Sequence, residues 1–455
     1  AWVPAAGQAC PEGRIARIQV ESIDVFDLNE FGEGSFVRGV FRTANAVHVN
    51  TSESYVLSEL LFEEGSCFDP FLLEESARVL RSRVFVKWAE VTSERQADGD
   101  VAVRVQVQDD WTLKAGLGIS FDEGINLEEL LLQENNLLGR GMTVALARVQ
   151  AREILENSVR FAATRLFGTS WTFDGTGGET RQGPFVEESL AFPFTSEVSR
   201  VAFTQAFEFR EDYFPYSTSG VENPTHVLVP FERLFAQLTF GRRFGTPGGI
   251  WLLGGGFSRE SLDFPEGSDG LRIVMDEAFG DLLPATEAEV GEVQGQSESL
   301  SATRLNLFGG FRNIDFVLRE GLDAVLAPQD VKVGSEVTVS LNPSLTFLGL
   351  EDDAEDLHGR VDVFWALAPG AWVVSAQAKA EGRWVRQADA GPAGSAEPTG
   401  LEGWRDMLSE VDLKAYFKPG GGRGHTLMGR LSAARSWSMD RPFQLTAGGR
   451  EGVRG

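Results

Sequence analysis

The side chains that usually carry catalysis are sparse in this chain. Its four histidines, His48, His226, His358 and His425, stand far apart, and none has a cysteine at metal-ligand spacing. No nucleophile elbow, phosphate-binding P-loop or zinc-protease helix motif occurs. The glycine runs at 116–118 and 254–256 lie in strand-like surroundings with no helix behind them, so they do not read as nucleotide cradles. The acidic run Glu351 to Asp356 could hold divalent cations, but a solvated loop is the simpler account. Neither an enzyme nor a cofactor is therefore expected. The chemistry that remains is hydrogen bonding and ion pairing at three clusters: Glu64, Gly65, Phe68, Asp69, Leu80 and Arg81; the turn Asn136, Gly139 and Gly141; and Gly452, Val453, Arg454 and Gly455. A guanidinium such as that of Arg454 can fork onto carboxylates in a way that lysine cannot copy.

The elements that must position these clusters fall into two classes. From residue 13 to 110 the pattern is mixed. Gly13 to Asp27 reads as a strand, followed by an insert of glycines and aromatics from Phe31 to Val40. Asn50-Thr51-Ser52-Glu53 carries helix-start chemistry, and Tyr55, Val56, Leu60 and Leu61 then share a helical face. Asp69-Pro70 opens a second helix, with Leu72, Leu73, Ala77 and Leu80 in a stripe. Strands Phe85 to Gln96 and Val101 to Gln108 flank an Asp98-Gly99 turn, and Val101, Val103, Val105 and Val107 alternate without a break.

Residues 111–455 change character to short alternating strands bounded by Gly, Asn, Asp and Pro. Leu113 to Phe121 and Ile125 to Gln133 flank the turn Asp122-Glu123-Gly124 as a hairpin. Val201, Phe203, Phe207 and Phe209 share one face. So do Val333, Val337, Val339 and Leu341; Val361, Val363, Trp365 and Leu367; and Val411, Leu413, Ala415 and Phe417. Apolar on one face and polar on the other, over about 300 residues, fits a lipid-facing wall around a wet lumen. A soluble β-rich binding protein shows the same period, but no blade-like repeat recurs. The segments 211–228, 260–302 and 384–407 read as long polar loops.

The charge of −26 argues against nucleic acid and against a polybasic membrane-surface mode. No apolar run reaches the length of a spanning helix. Residues 1–12 read as the end of a signal peptide and a linker, with Gly7-Gln8-Ala9 as a small-x-small cleavage site. Cys10 and Cys67 would suit one disulfide in an oxidising compartment or two separate thiols, and spacing alone leaves both open.

Three stretches carry a resemblance. The text from Asn50 to Val91 resembles a POTRA domain, through Glu64, Gly65, Phe68, Asp69, Glu75, Leu80, Arg81, Phe85 and Ala89. The connection at Asn136, Gly139 and Gly141 resembles the N-x-x-G-x-G turn after the second barrel strand of BamA/TamA-type outer-membrane proteins. The last residues, ending Gly452-Val453-Arg454-Gly455, resemble that family's V-R-G-[FY] loop. The resemblance implies an α+β POTRA domain (β-α-α-β-β) over 13–110, followed by an antiparallel transmembrane β-barrel over 111–455 that lacks its closing strands. It implies a loop folded back into the lumen, where Arg454 pairs with wall carboxylates. Location in a bacterial outer membrane, with the POTRA domain in the periplasm, follows from it. The implied partners are unfolded outer-membrane or secreted client proteins, a lipopolysaccharide-containing bilayer and periplasmic accessory proteins. The implied work is insertion or translocation of β-rich clients, either as general assembly or as two-partner secretion. A passive porin or receptor barrel is the alternative of another class.

Overall fold

The computed structural model describes residues 10–30, 32, 35–120, 126–151, 154–217, 226–264, 270–274, 283–294, 299–323, 328–346, 355–385, 403–420 and 424–439. Its first part is a small layered module. Strand β1 (Ile15–Ile23) is followed by helices α1 (Phe36–Val47), α2 (Glu53–Glu59) and α3 (Pro70–Arg81), then by β2 (Val86–Arg95) and β3 (Val101–Asp109). The sheet order is β1-β3-β2, with β1 parallel and β2 antiparallel to β3. Helix starts follow local chemistry. The Ser52 hydroxyl accepts the Tyr55 N–H at 3.3 Å, and Asp69 accepts the Phe71 N–H at 2.9 Å with Pro70 in the first turn. Val101, Val103, Val105 and Val107 turn inward onto Ile15, Val56, Leu80 and Phe85 as one core.

One expectation changes here. The sequence reading has two helices where the structure has three. The added one, α1, begins inside the stretch read as an insert and runs on to Val47. Its β-branched residues, Gly39 and Asn45 are weak helix formers, and the Ser35 side chain makes no cap. Neither a cap nor helix propensity announces it. The outer edge of β1 is covered. The turn Glu64 to Ser66 occupies that edge: Ile15 N–H donates to the Ser66 carbonyl at 2.9 Å, Gly65 N–H to the Ile15 carbonyl at 2.8 Å, and Ile18 N–H to Glu64 at 2.8 Å. A disulfide between Cys10 and Cys67, with Cα atoms 5.2 Å apart, holds the chain start beside that turn.

The second part is a large antiparallel sheet rolled into a barrel. Its first strands are short: β4 (Leu113–Ser120), β5 (Asn126–Glu134), β6 (Met142–Ala151), β7 (Ile154–Ala163), β8 (Thr172–Thr180) and β9 (Pro184–Phe192). The next are longer: β10 (Val201–Ser217), β11 (His226–Thr246) and β12 (Gly249–Asp263). A side hairpin, β13 (Arg272–Val274) and β14 (Leu283–Pro284), and helix α4 (Glu287–Gln294) interrupt the wall. The wall resumes with β15 (Leu300–Glu320), β16 (Pro328–Pro343), β17 (Asp356–Leu367), β18 (Trp372–Val385), β19 (Gly403–Phe417) and β20 (Leu427–Trp437). Strands thus run well into the three segments read as loops: β10 to Ser217, β12 to Asp263 and β18 to Val385. Their polar residues suit ladders that extend beyond the apolar belt, where water solvates both faces.

The alternation resolves as the period-two pattern requires. Leu130, Leu132, Leu253, Phe257, Val337, Val339, Val361, Trp365 and Val411 point outward and are exposed. The opposite faces carry ion pairs such as Arg233–Glu208, Lys332–Glu336, Arg360–Asp362 and Arg430–Asp412. An apolar exterior around a charged interior is the inverse of a soluble protein and matches a membrane barrel. No helix among the described residues is long and apolar enough to cross a membrane.

Closing strands were expected to be lacking. The ring nevertheless closes, with β20 a hydrogen-bonded neighbour of β4. This junction differs from the rest of the main wall, where neighbouring strands share continuous ladders. β20 and β4 are bonded neighbours but meet over far fewer residues than the other adjacent strands of the main wall, and ten of the eleven residues of β20 are exposed. Strands alternate in direction from β4 onward, so β4 and β20 point the same way in an otherwise antiparallel wall.

Candidate functional site at the junction of module and barrel

The turn between β5 and β6 is driven into the module. Asn136 accepts the Gly141 N–H through its side-chain oxygen at 2.8 Å, closing the turn, and donates through its amide nitrogen to the Thr51 hydroxyl at 2.8 Å. Thr51 in turn donates its N–H and hydroxyl to the two oxygens of Asp109, at 2.6 and 2.7 Å. Asp109 ends β3 three residues before Thr112, the last residue ahead of the barrel. One buried carboxylate therefore ties the end of the module to the first barrel turn. The glycines permit the approach: a Cβ on Gly139 would sit 2.3 Å from the Asn50 carbonyl, and one on Gly141 2.6 Å from the Tyr55 ring. Both also have positive φ, +67° and +63°. The sequence-predicted trio Asn136, Gly139 and Gly141 thus meets the start of α2.

Next to it lies a buried charge cluster. Glu59, 1 % exposed, accepts from Arg83 at 2.7 Å within the module and from Arg165 at 3.3 Å on the β7–β8 turn. Burial pushes the Glu59 carboxyl upward, but Arg83 and then Arg165 outweigh it and hold it below the usual carboxylate value. Tyr55 bonds the Thr164 hydroxyl at 2.6 Å, and burial, with Glu59 nearby, pushes its phenol well above its ordinary value. On α3, Arg78 forks onto Glu75 at 2.7 and 2.6 Å, and Glu75 also accepts the Glu197 N–H at 2.6 Å. Arg312 reaches the Glu197 carboxylate at 3.0 Å. Arg81 forks onto Asp330 of β16, at 2.7 Å twice, while also donating to the Ala89 carbonyl at 3.0 Å.

Between these two sets of contacts the module does not close on the barrel. A cleft of about 780 Å³ lies there, lined by Phe71, Trp88, Val91, Phe316 and Asp330 among others. Its module wall is made by α3 and by the outer edge of β2, a strand that pairs only with β3 among the described residues. The two edges of the small sheet differ: that of β1 is covered, that of β2 opens onto the cleft.

Inside the barrel, Asp356 has a fully buried side chain held between Arg304 and Arg383, the latter at 3.3 Å, and Arg383 continues to Asp406 at 3.0 Å. A cavity of about 310 Å³ beside it is lined by Phe214, Phe231, His358 and Met439. The predicted loop residues Gly452, Val453, Arg454 and Gly455 lie outside the described residues.

The other predicted positions divide by role. Glu64, Gly65 and Phe68 build the turn over β1, Asp69 caps α3, and Leu80 is core. Arg81 crosses to the barrel, as does Glu75 of the same resemblance. Sequence reading missed Asp109, Glu59, Arg165, Glu197, Arg312 and Asp330. One signal was available: Arg165-Leu166-Phe167-Gly168 repeats the shape of Asn136-Leu137-Leu138-Gly139, and Phe167 and Leu138 share left-handed φ values of 52° and 59°.

Among solved structures, the chain is similar to BamA from Haemophilus ducreyi lacking POTRA domains 1–3, at 12 % identity and TM-score 0.34, covering 94 % of this chain and 72 % of that one. It is similar to CdiB from Acinetobacter baumannii at 10 % identity and TM-score 0.36, covering 93 % and 68 %. CdiB from Escherichia coli gives 12 % identity and TM-score 0.33, covering 96 % and 93 %. No protein-family model and no curated protein matches the chain. At such values the likeness says nothing about activity, and the barrel rests on its own strand ladders.

Proposed function

We propose that this protein sits in a bacterial outer membrane with its small module, POTRA-like in sequence pattern, in the periplasm. There it assembles or translocates β-rich client proteins by main-chain pairing at two strand edges. The observation that carries this reading is the outer edge of β2, free of any strand partner among the described residues and facing a cleft of about 780 Å³. An extended client segment can add to such an edge through backbone hydrogen bonds, which demand little of its sequence. The sparsely joined β4–β20 junction would supply a second edge when it opens in the plane of the membrane, where an unpaired strand is most costly and a client strand most stabilising. A chain captured at β2 would have a second pairing site at β4.

A photoreactive amino acid at Trp88 or Leu117 tests this. Both positions should form adducts with newly made barrel-type clients, while Leu253, on the apolar belt away from either edge, should form none. Absence of adducts at both positions, with client-independent ion conductance, would contradict the proposal and favour a passive porin or receptor.

A further inference from the structure

Helix α1 has no buried residue, although it is twelve residues long and rich in apolar side chains. At about 100° per residue, Phe36, Val37, Val40 and Val47 fall within one arc of about 100°. They are 86, 45, 49 and 66 % exposed. The adjoining arc anchors the helix. Phe41 stacks on Phe26 at 4.3 Å, Asn45 exchanges two hydrogen bonds with the Phe26 backbone at 3.1 and 2.9 Å, and the C-cap His48 bonds Asp109 at 3.2 Å. The helix is thus held on its side with its apolar stripe facing away from the protein. Residues of poor helix propensity do not sustain such a helix alone; amphipathic helices are stabilised by what covers them.

The covering surface follows from where α1 stands. Phe26 and His48 both lie 6.2 Å from the Trp111 ring, and Trp111 is two residues from Leu113, the first outward apolar residue of the barrel wall. The stripe therefore borders the rim of the lipid-facing belt. That module-side rim also exposes Leu138 and Phe167 on its turns, at 62 and 93 %. The helix carries Arg38 and Arg42 and no acid, in a chain of net charge −26. We infer that α1 is an interfacial anchor: its Phe36–Val40–Val47 stripe lies in the near leaflet of the membrane that holds the barrel, with the exposed Arg42 on its polar face at the level of anionic headgroups. Such a helix buries its apolar face about 5–10 Å into the boundary of headgroups and acyl chains. It would fix the module, and with it the β2 edge, against the bilayer. This inference rests on the membrane reading of the barrel.

The test uses the whole protein in bilayers of phosphatidylcholine and phosphatidylglycerol containing lipids with a shallow spin label. A nitrobenzoxadiazole label is placed on Val40→Cys, on Arg42→Cys of the opposite face, or on Leu253→Cys of the belt, with Cys10 and Cys67 left in their disulfide. Blue-shifted emission at Val40, quenched by lipid about threefold more than at Arg42, is expected for a helix lying in the interface. Water-like emission at Val40 overturns the inference. So does a blue shift at Val40 without lipid quenching, which would mean that protein covers the stripe. An unquenched label at Leu253 would instead refute the membrane reading itself, and the anchor with it.

Discussion

The first barrel hairpin has two unlike boundaries. Where β5 turns into β6, the chain is tied to the module by Asn136, Thr51 and Asp109 and wedged against Tyr55 through two glycines. Along its outer side, β4 meets β20 over far fewer residues than it shares with β5. One boundary uses buried polar groups bonded to one another, the other a short main-chain contact that, on the proposed function, an arriving strand would replace. A seam that opens needs a fixed neighbour, or opening would carry the whole hairpin away. The junction supplies that fixity in side-chain chemistry, which resists substitution poorly. The seam depends on main chain, which tolerates most side chains but not the loss of an N–H.

The comparison breaks most sharply at Gly141. Gly141→Ala places a methyl 2.5 Å from the Thr164 hydroxyl and 2.6 Å from the Tyr55 ring, in left-handed backbone. A loss of about 2–4 kcal/mol at the junction is expected, read as protease sensitivity of the module while the barrel keeps its heat-modifiable gel mobility.

A smaller effect is expected at Glu59. Its folded-state pKa lies below the unfolded value, so the stability it contributes is complete above the ordinary glutamate range and is lost as pH falls through the folded value. Glu59→Gln should weaken the junction by about 2 kcal/mol near neutral pH and remove this part of its acid sensitivity. An unchanged acid profile of module protection in hydrogen exchange would show that Glu59 does not set it.

Arg81 should matter least. Its fork onto Asp330 is partly exposed, so Arg81→Ala should cost about 1 kcal/mol. Arg81→Lys should recover only part of that, because an ammonium cannot make both bonds. Parental stability of Arg81→Lys in denaturant titration would show that the fork geometry is irrelevant.

Much of this was legible in the sequence because the signals are local. Ser52 and Asp69-Pro70 announce helix starts, Val101 to Val107 announce a half-buried strand, and Val337, Val339 and Leu341 announce an outward face. The glycines at 139 and 141 mark a turn, though not what it presses against. The rest is non-local. Arg81 and Asp330 stand 249 residues apart, and Glu75 and Glu197 122, so no spacing rule could pair them. Helix α1 was missed for another reason: its stripe has helical spacing, but its residues lack the propensity that would distinguish a helix from an irregular insert.

The central claim, strand addition at β4, is tested most directly by proline at successive positions from Leu113 to Ser120. Along this strand N–H groups point alternately toward β5 and toward the seam. Proline at seam-facing positions should abolish client insertion in barrels that still show heat-modifiable mobility, whereas proline at β5-facing positions should impair folding itself. Full client insertion by every folded proline variant would contradict the account.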